Sequence, residues 1–273
     1  MPTHQLVFGC AEAPARECSG DDDLQDFLTR EGFGAYEINS GAQIVSDDMK
    51  LQISRMGMLP VLRCVSRDLN ESEACLIQAK MLGASVACMR LGAANAEEEA
   101  SRDLVQTVLT KFKDACINLR FEVHPSTIFA NLGKTAHWCE LFPEVNLALD
   151  AEMLLEESAD TDEGSAPDLR PGFSSLVPKT AMLRATIPDS AIPRGDVPPQ
   201  VKLVWKRVMQ QWRRHAPAGR WLLFMFDFNL SHPHAPDPVA TREFMKRYRE
   251  AALSCWQTAL DSPADDRIER ASL

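Results

Sequence analysis

The chain has 273 residues, 45% hydrophobic and 25% charged, with a formal net charge of −10. This is ordinary globular composition, and the acidic balance disfavours nonspecific binding to a nucleic-acid backbone, which needs a basic surface. No apolar run approaches the roughly 18–20 residues of a membrane span; the longest, Trp221 to Phe226, is strand-sized.

The N-terminus, MPTHQLVFGC, lacks the basic n-region and long apolar core of a signal peptide. Eight cysteines are scattered without a C-x-x-C pair, so no zinc knuckle or thioredoxin motif is present. Cys64 and Cys88 lie in apolar runs and read as small buried hydrophobes. The expectation is a reduced, cytoplasmic protein.

Short apolar, β-branched runs alternate with longer segments of helical period. QLVFGCA (Gln5–Ala11) predicts the first strand. DDDLQDFLTREG predicts a helix with acidic residues at its start and Gly32 at its stop. AYEINS is the second strand, Val45–Met56 the second helix, and LPVLRCVS the third strand. Glu71–Leu82 is the third helix, closed by Gly83, and SVACMRLG the fourth strand. NAEEEASRDLVQTVLTKFKDAC predicts a helix with glutamates first and lysines last, matching the helix dipole. Leu119–His124 is the fifth strand, Ile128–Phe142 a helix stopped by Pro143, and NLALDAE the sixth strand. A long region with a further helical piece leads to TAMLRAT, the seventh. Pro199–His215 is a helix, RWLLFMFDFN the eighth strand, and Pro238–Leu260 the last helix.

Eight strands in strict alternation with helices argue for a parallel sheet with helical crossovers. About 250 residues is the usual size of a (β/α)₈ TIM barrel. The competitor, a doubly wound open sheet, would carry a glycine-rich phosphate turn after its first strand, and FGCAEAPARECSG holds no G-x-G-x-x-G or Walker motif. The expectation is one barrel domain over residues 1–262 and a solvated tail over 263–273. Leu154–Phe173, acidic with Gly and Pro, reads as a long mobile connection after the sixth strand. Ile187–Gln200 is proline-rich and follows the seventh. Both should emerge at the C-terminal mouth, where such barrels keep their sites.

Residues two apart in a strand share a face. Glu37, Arg63, Arg90, Glu122 with His124, Asp150, Arg184 and Asp227 fall near the ends of strands two to eight. Charges gathered in a concave mouth shift one another's pKa values, as catalytic sites require. They also permit pairing: Arg63, Arg90 and Arg184 have forks suited to neutralising Glu37, Glu122 and Asp150. A ring of ion pairs closing the barrel without chemistry is therefore a competing reading.

Phe121–Met153, FEVHPSTIFANLGKTAHWCELFPEVNLALDAEM, resembles the centre of the xylose-isomerase-like barrels, a group of sugar isomerases, epimerases, dehydratases and endonuclease IV-type enzymes. The resemblance lies in an apolar strand ending in Glu, then a helix, then a short strand ending in Asp. It places Glu122 and Asp150 on the two acidic positions. It implies a divalent metal (Mn, Mg, Co or Zn) held by a fifth-strand Glu, sixth-strand Asp, seventh-strand His and eighth-strand Glu. Such a metal polarises a carbonyl while carboxylates move the neighbouring proton. The seventh strand here has Met182 or Arg184 in place of His. The eighth has Phe224 or Met225 in place of Glu, with Asp227 further on as a substitute ligand. Arg184 would supply the positive charge in a metal-free version, because a metal beside a guanidinium is repelled.

The resemblance implies an isomerase or epimerase acting on a sugar or sugar phosphate, with Glu122 and Asp150 as catalytic and metal-ligating residues. His124, Arg63, Arg90, Arg184 and Glu37 would contact substrate. The alternatives are a lyase or dehydratase on a related polyol, and a catalytically degenerate barrel kept for ligand binding or regulation. The histidine-rich trinuclear site of the endonuclease branch is missing, and no nucleic-acid or membrane partner is expected. His232 and His234 read as a polar, proline-rich loop. Trp205, Trp212 and Trp256 read as packing anchors or a contact in a homo-oligomer. No G-x-S-x-G elbow supports a hydrolase.

Overall fold

The computed structural model describes residues 4–11, 24–40, 46–150, 175–187, 197–216, 219–228 and 238–261. Its strands are β1 (Gln5–Ala11), β2 (Ala35–Asn39), β3 (Leu59–Ser66), β4 (Val86–Leu91), β5 (Asn118–Glu122), β6 (Leu147–Asp150), β7 (Thr180–Ile187) and β8 (Trp221–Phe228). All pair in parallel in chain order, and β8 returns to β1 from Gln5↔Trp221 to Cys10↔Phe226. The sheet is thus a closed barrel, as the alternation of elements predicts, and the open sheet is excluded. Its helices are α1 (Leu24–Arg30), α2 (Asp47–Met56), α3 (Leu69–Leu82), α4 (Glu98–Asp114), α5 (Leu132–Leu141), α6 (Pro199–His215) and α7 (Pro238–Asp261). The connection after β6, the segment 188–196, His232, His234 and the tail lie outside the described residues. No helix among the described residues is long and apolar enough to cross a membrane.

Local chemistry sets the helix ends. Ser46 and Asp68 are extended residues whose side chains accept from the N–H groups of Met49 and Glu71, satisfying donors that α2 and α3 would otherwise leave open. Gly57 and Gly83 stop the same helices in the left-handed conformation, at φ 64° and 73°. The region after β5 departs from expectation. The strand ends at Glu122 rather than His124, and the next helix begins at Leu132 rather than Ile128. Thr127 N–H donates to the His124 carbonyl and His124 N–H to that of Phe129, folding the intervening residues into a tight turn. Asn131 then caps α5, its side chain accepting from Lys134 N–H at 2.9 Å.

Strand residues alternate between two apolar layers. The outward set, including Phe8, Ile38, Leu62, Met89, Phe121, Leu183, Phe224 and Phe226, packs under the helices. The inward set is smaller: Ala35, Val61, Val86, Cys88, Ala148, Met182, Leu223 and Met225, with Val7, Leu59 and Trp221 against it. Gly9 keeps that interior open on β1, since a Cβ there would lie 2.6 Å from Met225 Cε. Of the two eighth-strand counterparts weighed above, Met225 faces inward and Phe224 outward. Trp205 and Trp212 are buried within the chain, in ring contact with Phe224 and Trp256 respectively. Their place is the core, and the expected contact between copies does not fall on them.

Candidate functional site

The inward alternation that puts Val61, Cys88, Ala148, Met182 and Met225 inside the barrel also places the next residue two steps on at its C-terminal mouth. That residue is Arg63 on β3, Arg90 on β4, Asp150 on β6, Arg184 on β7 and Asp227 on β8, joined by Glu37 on β2 and Glu122 on β5. Every sequence-predicted charge is thus on the inward face.

Six of them form one network. Arg63 grips Glu122 with two parallel bonds, Nε to Oε2 at 3.1 Å and Nη2 to Oε1 at 2.8 Å. Its remaining fork, Nη1, donates to Asp227 Oδ2 at 2.8 Å. Arg90 donates Nε and Nη2 to Glu122 Oε1, at 2.9 and 2.6 Å. Arg184 is 0% exposed. It grips Glu37 through Nη1 to Oε2 at 2.8 Å and Nη2 to Oε1 at 2.9 Å, and reaches Asp227 Oδ2 at 2.6 Å. Asp227 therefore bridges two arginine–glutamate pairs. Asp150 lies level with Arg184 in the β6–β7 register. The expected pairing of the three arginines with Glu37 and Glu122 occurs, Arg184 taking Glu37 while Arg63 and Arg90 share Glu122, and Asp227 is the third carboxylate of the network.

The network fixes protonation. Burial raises the Glu122 pKa, but the Arg184 and Arg63 charges, with hydrogen bonds from Arg63 and Arg90, outweigh it and hold the carboxyl at about 2. Asp227 is likewise depressed against burial by Arg184 and Arg63. Burial works against the Arg184 cation, yet Glu37 and Asp227 hold its pKa well above the ordinary arginine value. At neutral pH Glu122 and Asp227 are therefore anions and Arg184 a cation.

His124 stands at the turn after β5 instead of in the strand. Burial and the Arg90 charge lower its pKa, so the ring is neutral at pH 7. Its Nδ1 accepts from Ser126 N–H at 3.3 Å and lies 2.8 Å from Ser126 Oγ. The neutral ring therefore carries its proton on Nε2, as a donor. Sequence reasoning missed Arg120, which shares the inward face with Glu122 two residues on; the spacing R-x-E in LRFEVH was the available signal.

The metal implied by the resemblance does not fit these residues. Among the described residues no three His, Cys, Asp or Glu side chains converge as a metal site. The expected trio Glu122, Asp150 and Asp227 does not assemble, because Arg63 stands between Glu122 and Asp227 and bonds both. Arg184, at the expected histidine position, brings a second positive charge to Asp227. A divalent ion placed among them would be repelled by guanidiniums that cannot deprotonate.

No protein-family model and no curated protein matches the sequence. Solved structures do. An L-ribulose 3-epimerase superposes with a TM-score of 0.69 at 11% identity, covering 96% of this chain and 99% of its own. A probable 3-DHS dehydratase involved in petrobactin synthesis from Bacillus anthracis gives 0.57 at 12%, covering 88% and 98%. A xylose isomerase-like TIM barrel protein from Mycobacterium smegmatis, in complex with magnesium, gives 0.55 at 12%, covering 94% and 98%. At such identities the likeness is one of fold alone: the chain has the closed (β/α)₈ barrel that these structures share.

Proposed function

We propose that this barrel binds a neutral, polyhydroxylated small molecule of the sugar class at its C-terminal mouth, without metal-assisted proton transfer. The observation that carries the reading is the double grip on Glu122. A carboxylate held at a pKa of about 2 by Arg63 and Arg90 is a weak base and has no free oxygen to give a metal. Charge decides between ligand classes. Three arginines already face Glu37, Glu122 and Asp227 in ion pairs, so this network offers an entering phosphate or carboxylate no uncompensated positive charge. Hydroxyl groups need only donors and acceptors. Among the described residues, Arg90, whose side chain is 28% exposed, and His124 Nε2 are donors open to such groups, and Asp227, 18% exposed, is an acceptor.

A second reading, a metal-free isomerase or epimerase, is favoured by His124. A neutral imidazole with its proton on Nε2 can polarise a carbonyl without becoming an acid of unsuitable strength. Asp150, whose charge acts on His124, would then take the neighbouring carbon-bound proton.

One experiment separates these readings. Protein purified without chelator is analysed for metals, then titrated calorimetrically with neutral ketoses and aldoses, polyols and their phosphates, each bound sugar being incubated in D₂O. The binding reading expects substoichiometric metal, saturable binding of a neutral sugar that is stronger than that of its phosphate, and no deuterium at carbon. Deuterium uptake that His124→Ala abolishes supports the second reading. One tightly held divalent ion per chain, or preference for the phosphates, sinks the first.

A further inference from the structure

A guanidinium with which no described side chain forms an ion pair lies inside the barrel, at the end away from the mouth. Arg120 is on the inward face of β5, level with Cys88 of β4, and is 4% exposed. Its guanidinium carbon stands 4.9 Å from the centroid of the Trp221 ring, and Trp221 is the first residue of β8. The side chain therefore runs from mid-barrel toward the N-terminal end. The carboxylates of the mouth are gripped by Arg63, Arg90 and Arg184. Arg120 forms no ion pair or hydrogen bond with any described residue, and its Nη1 is buried without a partner.

The charge is real at neutral pH. Burial, and repulsion from Arg220 beside β8, lower the Arg120 pKa only to about 10. The Arg220 charge thus acts against Arg120, and the more distant charge of Glu37, gripped by Arg184, acts for it. Trp221 offers a π face, which recovers part of what the cation loses on leaving water. It gives nothing to the N–H groups in the guanidinium plane, and a buried donor left unpaired is strongly unfavourable.

We propose that the N-terminal end of the barrel holds a small anion, a halide or a compact oxyanion, against the edge of Arg120 where it stacks on Trp221. The anion accepts from the orphaned Nη1 and relieves the repulsion between Arg120 and Arg220. This site is separate from the mouth and independent of what the mouth binds.

The test uses the full chain. Thermal unfolding is followed in chloride, bromide, acetate and phosphate, each balanced to constant ionic strength with a bulky organic sulfonate. The proposal expects a saturable rise in Tm with at least one small anion, absent in Arg120→Met. Identical midpoints in all balanced salts, or the same saturable rise in Arg120→Met, overturn it. Should Arg120→Met fail to fold, crystals of the unaltered chain grown in bromide and in phosphate decide. Anomalous bromide signal or phosphate density at the Arg120 edge supports the site and tells halide from oxyanion. Density in neither overturns it.

Discussion

Arg184 is buried between Glu37 and Asp227, and its removal would leave Glu37, itself fully buried, without a counter-charge. Breaking a buried pair on one side costs about 3–5 kcal/mol, whereas replacing both members with apolar groups is often neutral. Arg184→Met is therefore expected to lower unfolding free energy by about 3–5 kcal/mol in urea titration, and Glu37→Leu with Arg184→Met to recover most of that loss. A double variant as unstable as the single would show that the pair is not the source. The residues themselves could be read from the chain: Glu37, Arg63, Arg90, Glu122, Asp150, Arg184 and Asp227 all follow from strand ends and period-two alternation. Their pairing could not. Arg184 and Glu37 are 147 positions apart, and only barrel closure brings β7 opposite β2.

At the scale of the element, α3 shows local sequence deciding a boundary. Asp68 accepts from Glu71 N–H at 2.9 Å, and the Glu71 carboxylate accepts from Arg67 N–H at 2.6 Å. Two open donors are answered reciprocally, in the manner of a capping box. Asp68→Ala is expected to cost about 1 kcal/mol, measured as a fall in the urea midpoint at unchanged m-value. An unchanged midpoint would mean that packing of Cys75, Ala79 and Leu82 alone holds the helix. The stretch after β5 shows the opposite case. Its apolar residues suggest a longer strand and an earlier helix, but Pro125, the Thr127 and His124 backbone bonds and the Asn131 cap convert them to a turn. That turn is what moves His124 from the strand face to the rim, with its tautomer set by Ser126. Hydrophobic pattern fixes which residues are inside, while side-chain bonds to backbone fix where an element stops.

For the whole molecule, the buried network couples stability to pH. Glu122 falls from an ordinary 4.5 to about 2 in the folded state. A depressed carboxyl contributes stability that is fully present above its unfolded pKa and is lost as pH falls through the folded value. The shift corresponds to about 3 kcal/mol. Asp227 is depressed in the same direction, so it acts in the same window. Stability from these two groups should hold steady from pH 7 to about 5 and fall between there and about 2. Urea titrations across that range check this. In Glu122→Gln the acid-dependent fall should be shallower by about 3 kcal/mol on a lower neutral-pH baseline. An equal fall in both proteins would place the pH dependence elsewhere.

The sequence by itself determined eight parallel strands in alternation with helices, through eight strand-sized runs separated by helix-length segments with their own caps, because parallel strands can be joined only by crossovers of that length. It also determined that acids and arginines face one mouth, because strand side chains alternate. Only the tertiary structure decided that those acids bond arginines, that Asp227 bridges two pairs, and that Arg120 has no ion-pair partner among the described residues. Which strand ends come within hydrogen-bonding distance depends on closure and register across the barrel, and neither is encoded in local spacing.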